Sequence, residues 1–186
     1  MTEVIGRRER KKAQTRKALA DAALALFLEH GYEKVGVKEV ADAADVSVTT
    51  LFKYFPSKEA LVFDQDEDIE AALVLAVHGR PPGHSIVDAL RKHILRLAES
   101  APSGEFLRLI ESEPALRDYA RRMWMRHETA LARAIAQEMG APEDDVTWAA
   151  LARFALASRE LIQAHEHPSW AAEQIFASLQ RGWRTE

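Results

Sequence analysis

Apolar residues recur every three or four positions along most of the chain, and this spacing predicts an all-helical protein. The pattern is interrupted at GRPPG (79–83) and at APSG (101–104), which we interpret as loops because glycine and proline break helices. About nine helices are predicted, over residues 10–30, 38–44, 47–55, 57–78, 85–100, 106–110, 114–139, 143–165 and 168–183.

The stretch 38–61, KEVADAADVSVTTLFKYFPSKEAL, contains two short predicted helices joined by a tight turn. The second helix has apolar residues at positions i, i+3, i+4 and i+7, which are Val48, Leu51, Phe52 and Phe55. Ser47 is suited to cap its first turn and Pro56 to end it. Asp45 lies in the turn, where its tolerance of the left-handed conformation is useful. Two short helices joined in this way are typical of a helix-turn-helix.

The other edge of the second helix is polar, as a helix that enters the major groove of DNA requires. The residues suited to contact base edges are Thr49, Thr50 and Lys53. Those better placed to contact phosphates, which fix register without reading sequence, are Lys38, Tyr54 and Lys58. The alternative for each of them is an ordinary solvated side chain.

From about Thr15 to Leu61 the chain resembles the N-terminal domain of the TetR family of transcriptional regulators. The matching residues are Ala22-Ala23, Phe27, Gly31-Tyr32, Val37, Val40-Ala41, Val46-Ser47, Thr50-Leu51, Tyr54-Phe55 and Pro56-Ser57-Lys58-Glu59-Ala60-Leu61. The departures are Asp45, Phe52 and Gly36, where the family usually has glycine, often tyrosine, and a threonine or serine cap. The resemblance implies DNA contacts from the starts of the second, third and fourth helices, which include Lys38, Ser47 and Lys58.

The resemblance also implies two domains, a helix-turn-helix domain over 1–56 with a basic N-terminal arm and a helical regulatory and dimerisation domain over 57–186. An effector pocket in the second domain is implied, and the candidate residues are His93, Met123, Trp124, His127 and Trp148. His127 falls inside an apolar stripe, so its ring nitrogens need polar partners. The alternative is a core histidine that bonds a neighbouring side chain or water.

Charge is unevenly distributed along the chain, whose net charge is −4. Residues 1–63 contain eleven Lys/Arg and nine Asp/Glu, whereas residues 64–186 contain fourteen and twenty. A basic end on an acidic protein indicates one DNA-facing end. Residues 1–9 show no periodicity, and we expect a disordered segment that is either a solvated tail or an arm that contacts DNA phosphates.

Several classes of protein are disfavoured. The chain has no cysteine, which removes disulfides, thiolate metal sites and cysteine nucleophiles. The longest apolar run, residues 71–77, is far shorter than the roughly twenty residues that span a bilayer. We therefore expect a cytoplasmic protein with no membrane partner. His127-Glu128 lacks the second histidine of the zinc-protease pattern, because Leu131 stands there. We expect no enzyme, no metal site and no cofactor.

The predicted helix at 143–165 is apolar on two faces, although a helix that is wet on one side needs only one. The first face comprises Val146, Ala150, Phe154, Ala157 and Leu161. The second face comprises Trp148, Leu151, Ala152, Ala155 and Ile162. Either both faces are buried within one subunit or a second copy covers one of them. We expect a homodimer, with an interface of Trp148, Leu151, Ala155, Ile162, Ile175 and Leu179.

Taken together, these features predict a sequence-specific DNA-binding transcriptional regulator. We expect a homodimeric repressor that binds a palindromic operator and is released by a small-molecule effector. The alternative from a different class is a dimeric helical-bundle enzyme or small-molecule binding module with an incidental basic N-terminal domain.

Overall fold

The computed structural model describes residues 6–100 and 102–182. Within those ranges the protein contains nine α-helices, one short 3-10 turn and no strand, which confirms the all-helical prediction. The helices are α1 (Arg7–His30), α2 (Val37–Ala43), α3 (Val48–Tyr54), α4 (Asp66–His78), α5 (Ile86–Glu99), α6 (Gly104–Ser112), α7 (Pro114–Glu138), α8 (Val146–Ala164) and α9 (Pro168–Gly182). The predicted end of the last helix, Trp183, lies outside the described residues.

The local signals around the helix-turn-helix act as predicted. Gly31 ends α1 with a φ of 90°, a conformation that glycine adopts without strain. Asp45 occupies the left-handed region at φ 52° in the turn between α2 and α3. The Ser47 hydroxyl accepts a hydrogen bond from the Thr50 backbone N–H at 3.1 Å and thereby caps α3.

The predicted helix over 57–78 is interrupted. Ser57 caps only the 3-10 turn Glu59–Leu61, and α4 begins later, at Asp66. Leu61, Val62 and Phe63 are all buried. The chain leaves the helical path between the 3-10 turn and Asp66, which periodicity alone does not reveal.

The chain divides into two compact units. The first contains α1 to α3, the 3-10 turn, α6 and the start of α7, within residues 1–65 and 103–121. Its core includes Leu19, Phe27, Val40, Leu51 and Phe55. Phe63 also stacks on Tyr119 at a ring-centroid distance of 5.1 Å. The domain boundary predicted after residue 56 stays a prediction.

The second unit contains α4, α5, the remainder of α7, α8 and α9, within residues 66–102 and 122–186. Its core packs α5 against α8 and α9, and includes Leu90, Ile94, Leu151, Ala155 and Phe176. The Ser85 hydroxyl accepts from the Asp88 backbone N–H at 3.0 Å and thereby caps the start of α5. None of the described helices combines the length and the hydropathy that crossing a membrane requires.

Candidate nucleic-acid interface

The short helix α3 is held from one side and exposed on the other. Leu51 is fully buried, and Phe55, directly after the helix, is 1% exposed. Both pack in the core to which α2 contributes Val40 and Ala41. Thr49 and Lys53, four positions apart on one face, are exposed. The fold therefore presents a hydroxyl and an ammonium on a rigid support, as readout of base edges requires.

Ser47 and Thr50 form a hydroxyl pair at the start of α3. Their oxygens lie 2.9 Å apart, and the Ser47 hydroxyl also accepts from the Thr50 backbone N–H. Thr50 is half-buried, whereas Ser47 is exposed. Each hydroxyl thus has an internal partner and keeps some capacity for a further hydrogen bond. This pair fixes the direction in which the first turn of α3 points.

Phe52 differs from its prediction. The sequence pattern placed it on the apolar face of α3, but its side chain is 48% exposed. A helix of seven residues buries little more than one position per turn, and Leu51 with Phe55 already fills that space. Phe52 instead shares the exposed edge with Thr49 and Lys53, where an aromatic ring can pack on a thymine methyl group. Its place on α3 was visible in the sequence, but its exposure was not.

The candidate phosphate contacts fall into different environments. Lys38 is exposed in the first turn of α2, next to Glu39, whose carboxylate accepts from the Gly36 backbone N–H at 2.6 Å. Tyr54 is half-buried at the end of α3. Lys58 is bound within the unit, since its ammonium donates to the Tyr32 carbonyl at 2.5 Å. Lys58 and Lys38 are therefore not equivalent cations.

Lys58 also lies over aromatic rings. Its ammonium is 4.0 Å from the centroid of Tyr32 and 5.5 Å from that of Phe27. The Tyr32 hydroxyl donates to Glu59 at 3.1 Å. Burial, and then the nearby Glu59 carboxylate, raise the pKa of Tyr32, so the phenol remains a donor throughout the physiological range. This cluster joins the end of α1 to the turn that follows α3.

Arg16 has a similar internal role. Its guanidinium donates to the Tyr54 carbonyl at 3.0 Å and to the Asp64 carbonyl at 2.7 Å. The same group lies 4.6 Å from the ring centroid of Phe55. The next residue, Lys17, instead forms an exposed ion pair with Asp21 at 2.8 Å. Arg16 thus fixes the C-terminal end of α3 from within the unit.

The basic arm is partly helical. Residues 7–9 were predicted to be disordered, but they form the first turn of α1. The exposed cations of this turn and the next are Arg7, Arg8, Arg10, Lys11 and Lys12. The first five residues of the predicted arm lie outside the described residues. The first turn of α1 thus presents exposed cations that can contact phosphates.

Four of the five candidate effector-binding residues lie in or against the core of the second unit. His127 is fully buried, Met123 is 3% exposed, and Trp124 and Trp148 pack partly buried against the core. The His127 Nε2 atom lies 2.7 Å from Asp66 Oδ1. Its Nδ1 atom has no hydrogen-bond partner among the described residues.

Asp66 connects the start of α4 to α7. Its second carboxylate oxygen accepts from Arg126, the residue directly before His127 on α7. The Trp124 ring packs edge-on against the imidazole at 5.1 Å, and the Arg159 guanidinium lies 4.8 Å from that indole. His127 therefore has a polar partner at Nε2, as expected for a core histidine. Its Nδ1 atom can still form one hydrogen bond.

His93, the fifth candidate, is 8% exposed and lines a groove beside α5. The other four candidates do not line that groove. The grouping of the five residues in one effector pocket stays a prediction.

The proposed dimer face is mostly interior. Leu151, Ala155 and Ile162 are fully buried within the single chain, so their side chains face its own core. Trp148, Ile175 and Leu179 are partly buried and pack against that core. On the opposite side of α8, Val146 is 79% and Leu161 is 66% exposed. A partner that docks on α8 meets this second side.

Comparisons with known proteins agree with this geometry. Residues 19–64 match the family model for bacterial regulatory proteins of the tetR family, and residues 83–182 match the model for the MftR C-terminal domain. The HTH-type transcriptional regulator TcmR from Streptomyces glaucescens is 34% identical over 152 residues, which cover 75% of this chain and 67% of that protein.

Two solved structures share the fold. A TetR-family regulator from Streptomyces coelicolor, SCO0857, aligns with a TM-score of 0.64 at 20% identity, over 95% of this chain and 98% of that one. Thermus thermophilus FadR, a TetR-family transcriptional repressor in complex with lauroyl-CoA, aligns with a TM-score of 0.52 at 25% identity, over 92% and 96% of the two chains.

Proposed function

Because the chain belongs to the TetR family of bacterial transcriptional regulators, we propose that it is a homodimeric repressor that binds a palindromic operator and is released by a small molecule. The coarser part of this statement, a DNA-binding transcriptional regulator and not an enzyme, is common to the family and its relatives. The dimer, the operator symmetry and the effector are our proposals, and each has its own support.

The exposed edge of α3 carries the DNA-binding proposal. Thr49 and Lys53 project from a helix whose opposite side is buried, and they supply a hydroxyl and a cationic donor for base edges. Thr50 is the third proposed base contact. Ser47, Lys38 and Tyr54 lie near the starts and ends of α2 and α3, where we propose contacts to phosphates.

Lys58 was predicted as a phosphate contact as well, and we now propose a different role for it. A phosphate contact would require the ammonium to exchange its bond to the Tyr32 carbonyl for one to DNA. We propose that Lys58 braces the turn after α3 and contributes to DNA binding indirectly, through the position of that helix.

The homodimer proposal follows from the size of one recognition helix. A single helix reads too few base pairs for useful specificity, whereas two related by a dyad read half-sites about 34–36 Å apart. Val146, Phe154 and Leu161 form an exposed apolar strip on α8, in which Phe154 is 50% exposed, and Trp170 on α9 is 55% exposed. A second copy of this chain that packs here buries the apolar strip and supplies the second recognition helix.

The dimer face is tested by a pair of substitutions on α8. Leu161→Glu places a charge on the exposed strip, and we expect a folded monomer by sedimentation and circular dichroism. Ala155→Glu places the charge in the core, so we expect loss of folded protein instead. A Leu161→Glu protein that sediments as a dimer at micromolar concentration would exclude this face.

The effector proposal rests on the cluster around His127. Asp66 is the first residue of α4, and its bond to His127 attaches that helix terminus to α7. A ligand that binds the free Nδ1 or displaces Asp66 changes the start of α4. It shifts the population of DNA-binding conformations only if it binds one of them more tightly. Lauroyl-CoA occupies the related repressor from T. thermophilus, which is consistent with a small-molecule effector here.

DNA binding itself is tested by mobility shift on duplexes selected from a random pool. We expect Lys53→Ala to reduce affinity and to relax base preference, because its ammonium is exposed on α3. Arg133→Ala is the matched control, since it removes an exposed cation in the second unit. No binding to any duplex at low salt would favour the helical binding module.

We place the protein in the cytoplasm, where bacterial DNA is found.

A further inference from the structure

A groove in the second unit has chemistry that DNA binding does not use. It lies between the C-terminal half of α4, the 79–84 loop and α5, and has a volume of about 440 Å³. Sites for small molecules in proteins commonly have volumes of about 300–1,000 Å³. The groove is therefore large enough for a compact organic ligand.

One wall of the groove is apolar. It is formed by Ala72, Leu75 and Ala76 of α4, and Ala89 of α5 adds to the apolar lining. Leu75 is 66% exposed, one of the most exposed large apolar side chains among the described residues. Such a side chain gains several tens of square ångströms of burial when an apolar group packs beside it, at about 25 cal/mol per Å².

The α5 side of the groove is predominantly basic. Lys92, His93 and Arg96 line it, at positions i, i+1 and i+4, and Asp88 lines it as well. Lys92 shares the Asp88 carboxylate with Arg91, and both ion pairs measure 2.8 Å. Arg96 is exposed, and within the described residues no carboxylate lies at ion-pairing distance from it. Arg96 therefore contributes an uncompensated positive charge to the groove.

His93 provides an independent indication of a ligand. Its side chain is only 8% exposed, yet its Nε2 atom has no hydrogen-bond partner in the described part of the chain. Buried polar atoms without a partner are uncommon and call for an explanation. Burial, and then the nearby Arg96 guanidinium, lower the pKa of His93. The imidazole is therefore neutral at pH 7, and its Nε2–H tautomer donates one hydrogen bond.

The remaining cations on the rim do not compete for this role. The Arg80 guanidinium is committed to Glu138 at 2.6 Å and to the Val77 carbonyl at 2.7 Å. Its Nε also donates to the His84 carbonyl at 3.2 Å, which closes the loop at the end of the groove. Arg80 thus has a structural role, while Arg96 and His93 remain free to bind a ligand.

We propose that this groove binds a small amphipathic organic anion, whose headgroup is held by Arg96 and His93 and whose apolar body packs on Leu75. Arg96 supplies charge-assisted hydrogen bonds, and His93 supplies a neutral donor. Carboxylates and phosphate monoesters share the required headgroup chemistry. The binding claim concerns the second unit alone and does not depend on DNA recognition.

The test is calorimetric titration of the full chain with octanoate, octyl phosphate and octanol, without DNA. We expect one anion to bind per chain, at least tenfold more tightly than the neutral alcohol. The ratio of the affinities for octanoate and octyl phosphate distinguishes a carboxylate site from a phosphate site. If neither anion binds more tightly than octanol up to millimolar concentration, the proposal fails.

Three variants locate the site. Arg96→Gln should weaken anion binding by about tenfold, the effect of losing one charge-assisted hydrogen bond. Leu75→Glu places a negative charge on the apolar wall and should abolish it. Both side chains are exposed, so the variants should fold. Arg133→Gln, an equal change of charge on α7, should bind as the wild type does.

Proton NMR of the histidine side chains gives a second readout. Anion binding should move the imidazole resonances of His93 and leave those of His30, which lies on the surface of the first unit, unchanged. Equal affinity of wild type and Arg96→Gln, or unmoved His93 resonances at saturation, would place the anion elsewhere and overturn the assignment.

Discussion

Replacing Lys58 by methionine separates its two proposed roles. Methionine keeps the apolar stem that lies on the Tyr32 and Phe27 rings but removes the ammonium. A hydrogen bond from a charged donor contributes about 1.5–3 kcal/mol to stability. A cation–π contact near the surface adds about 0.5–1 kcal/mol. Because Lys58 is only half-buried, water replaces part of both, and we expect a loss of about 1.5 kcal/mol.

The assay combines thermal and urea denaturation with DNA affinity measured at several salt concentrations. For a chain of this length, about 1.5 kcal/mol corresponds to a fall of about 3–6 °C in Tm. We expect Lys58→Met to show this loss and to retain the wild-type dependence of affinity on salt. Lys38→Met, the matched exposed lysine, should keep its stability within about 0.5 kcal/mol and lower the salt slope by about one. A Lys58→Met protein of unchanged stability and reduced salt slope would refute the bracing role.

Three further predictions concern buried or strained groups. Asp66→Ala should destabilise the chain by about 1–3 kcal/mol in urea denaturation, because it leaves the buried Nε2 of His127 unpaired, whereas Asp68→Ala in the same helical turn should have little effect. The pKa of His93 is lower in the folded chain than in the unfolded chain, so the unfolded chain binds a proton first as the pH falls. The free energy of unfolding should therefore fall as the pH drops below about 6.5, and His93→Gln should reduce this dependence on pH. Asp45→Gly should raise the free energy of unfolding by about 0.5–1 kcal/mol, since glycine adopts a φ of 52° without strain; an unchanged or lower midpoint would contradict this.

Much of the first unit could be predicted from its sequence because its signals are local. Ser47, Gly31 and Asp45 each act through the backbone of the next few residues, so their effects do not depend on distant parts of the chain. The TetR resemblance is also local, because it rests on many residues at fixed spacing within this unit. The helices of the first unit therefore agree with their predicted bounds to within a few residues.

The sequence-based predictions fail where packing against residues distant in the sequence determines the structure. Periodicity identified two apolar faces on α8, but which of them the chain buries depends on how α5 and α9 pack against it. Periodicity also did not reveal the break before α4, where Leu61, Val62 and Phe63 are all buried. The internal partners of Lys58 and Arg16 are backbone carbonyls, which have no signature in the sequence.

We propose that two copies of α3 read a symmetric DNA sequence. This is tested by selecting bound duplexes from a random pool and sequencing them for wild type and for Thr49→Val and Lys53→Ala. We expect a palindrome with half-site centres about 34–36 Å apart, and changed base preference at symmetry-related positions in the variants. Selected sequences without a repeated half-site, or variants that select the same sequences as the wild type, would contradict it.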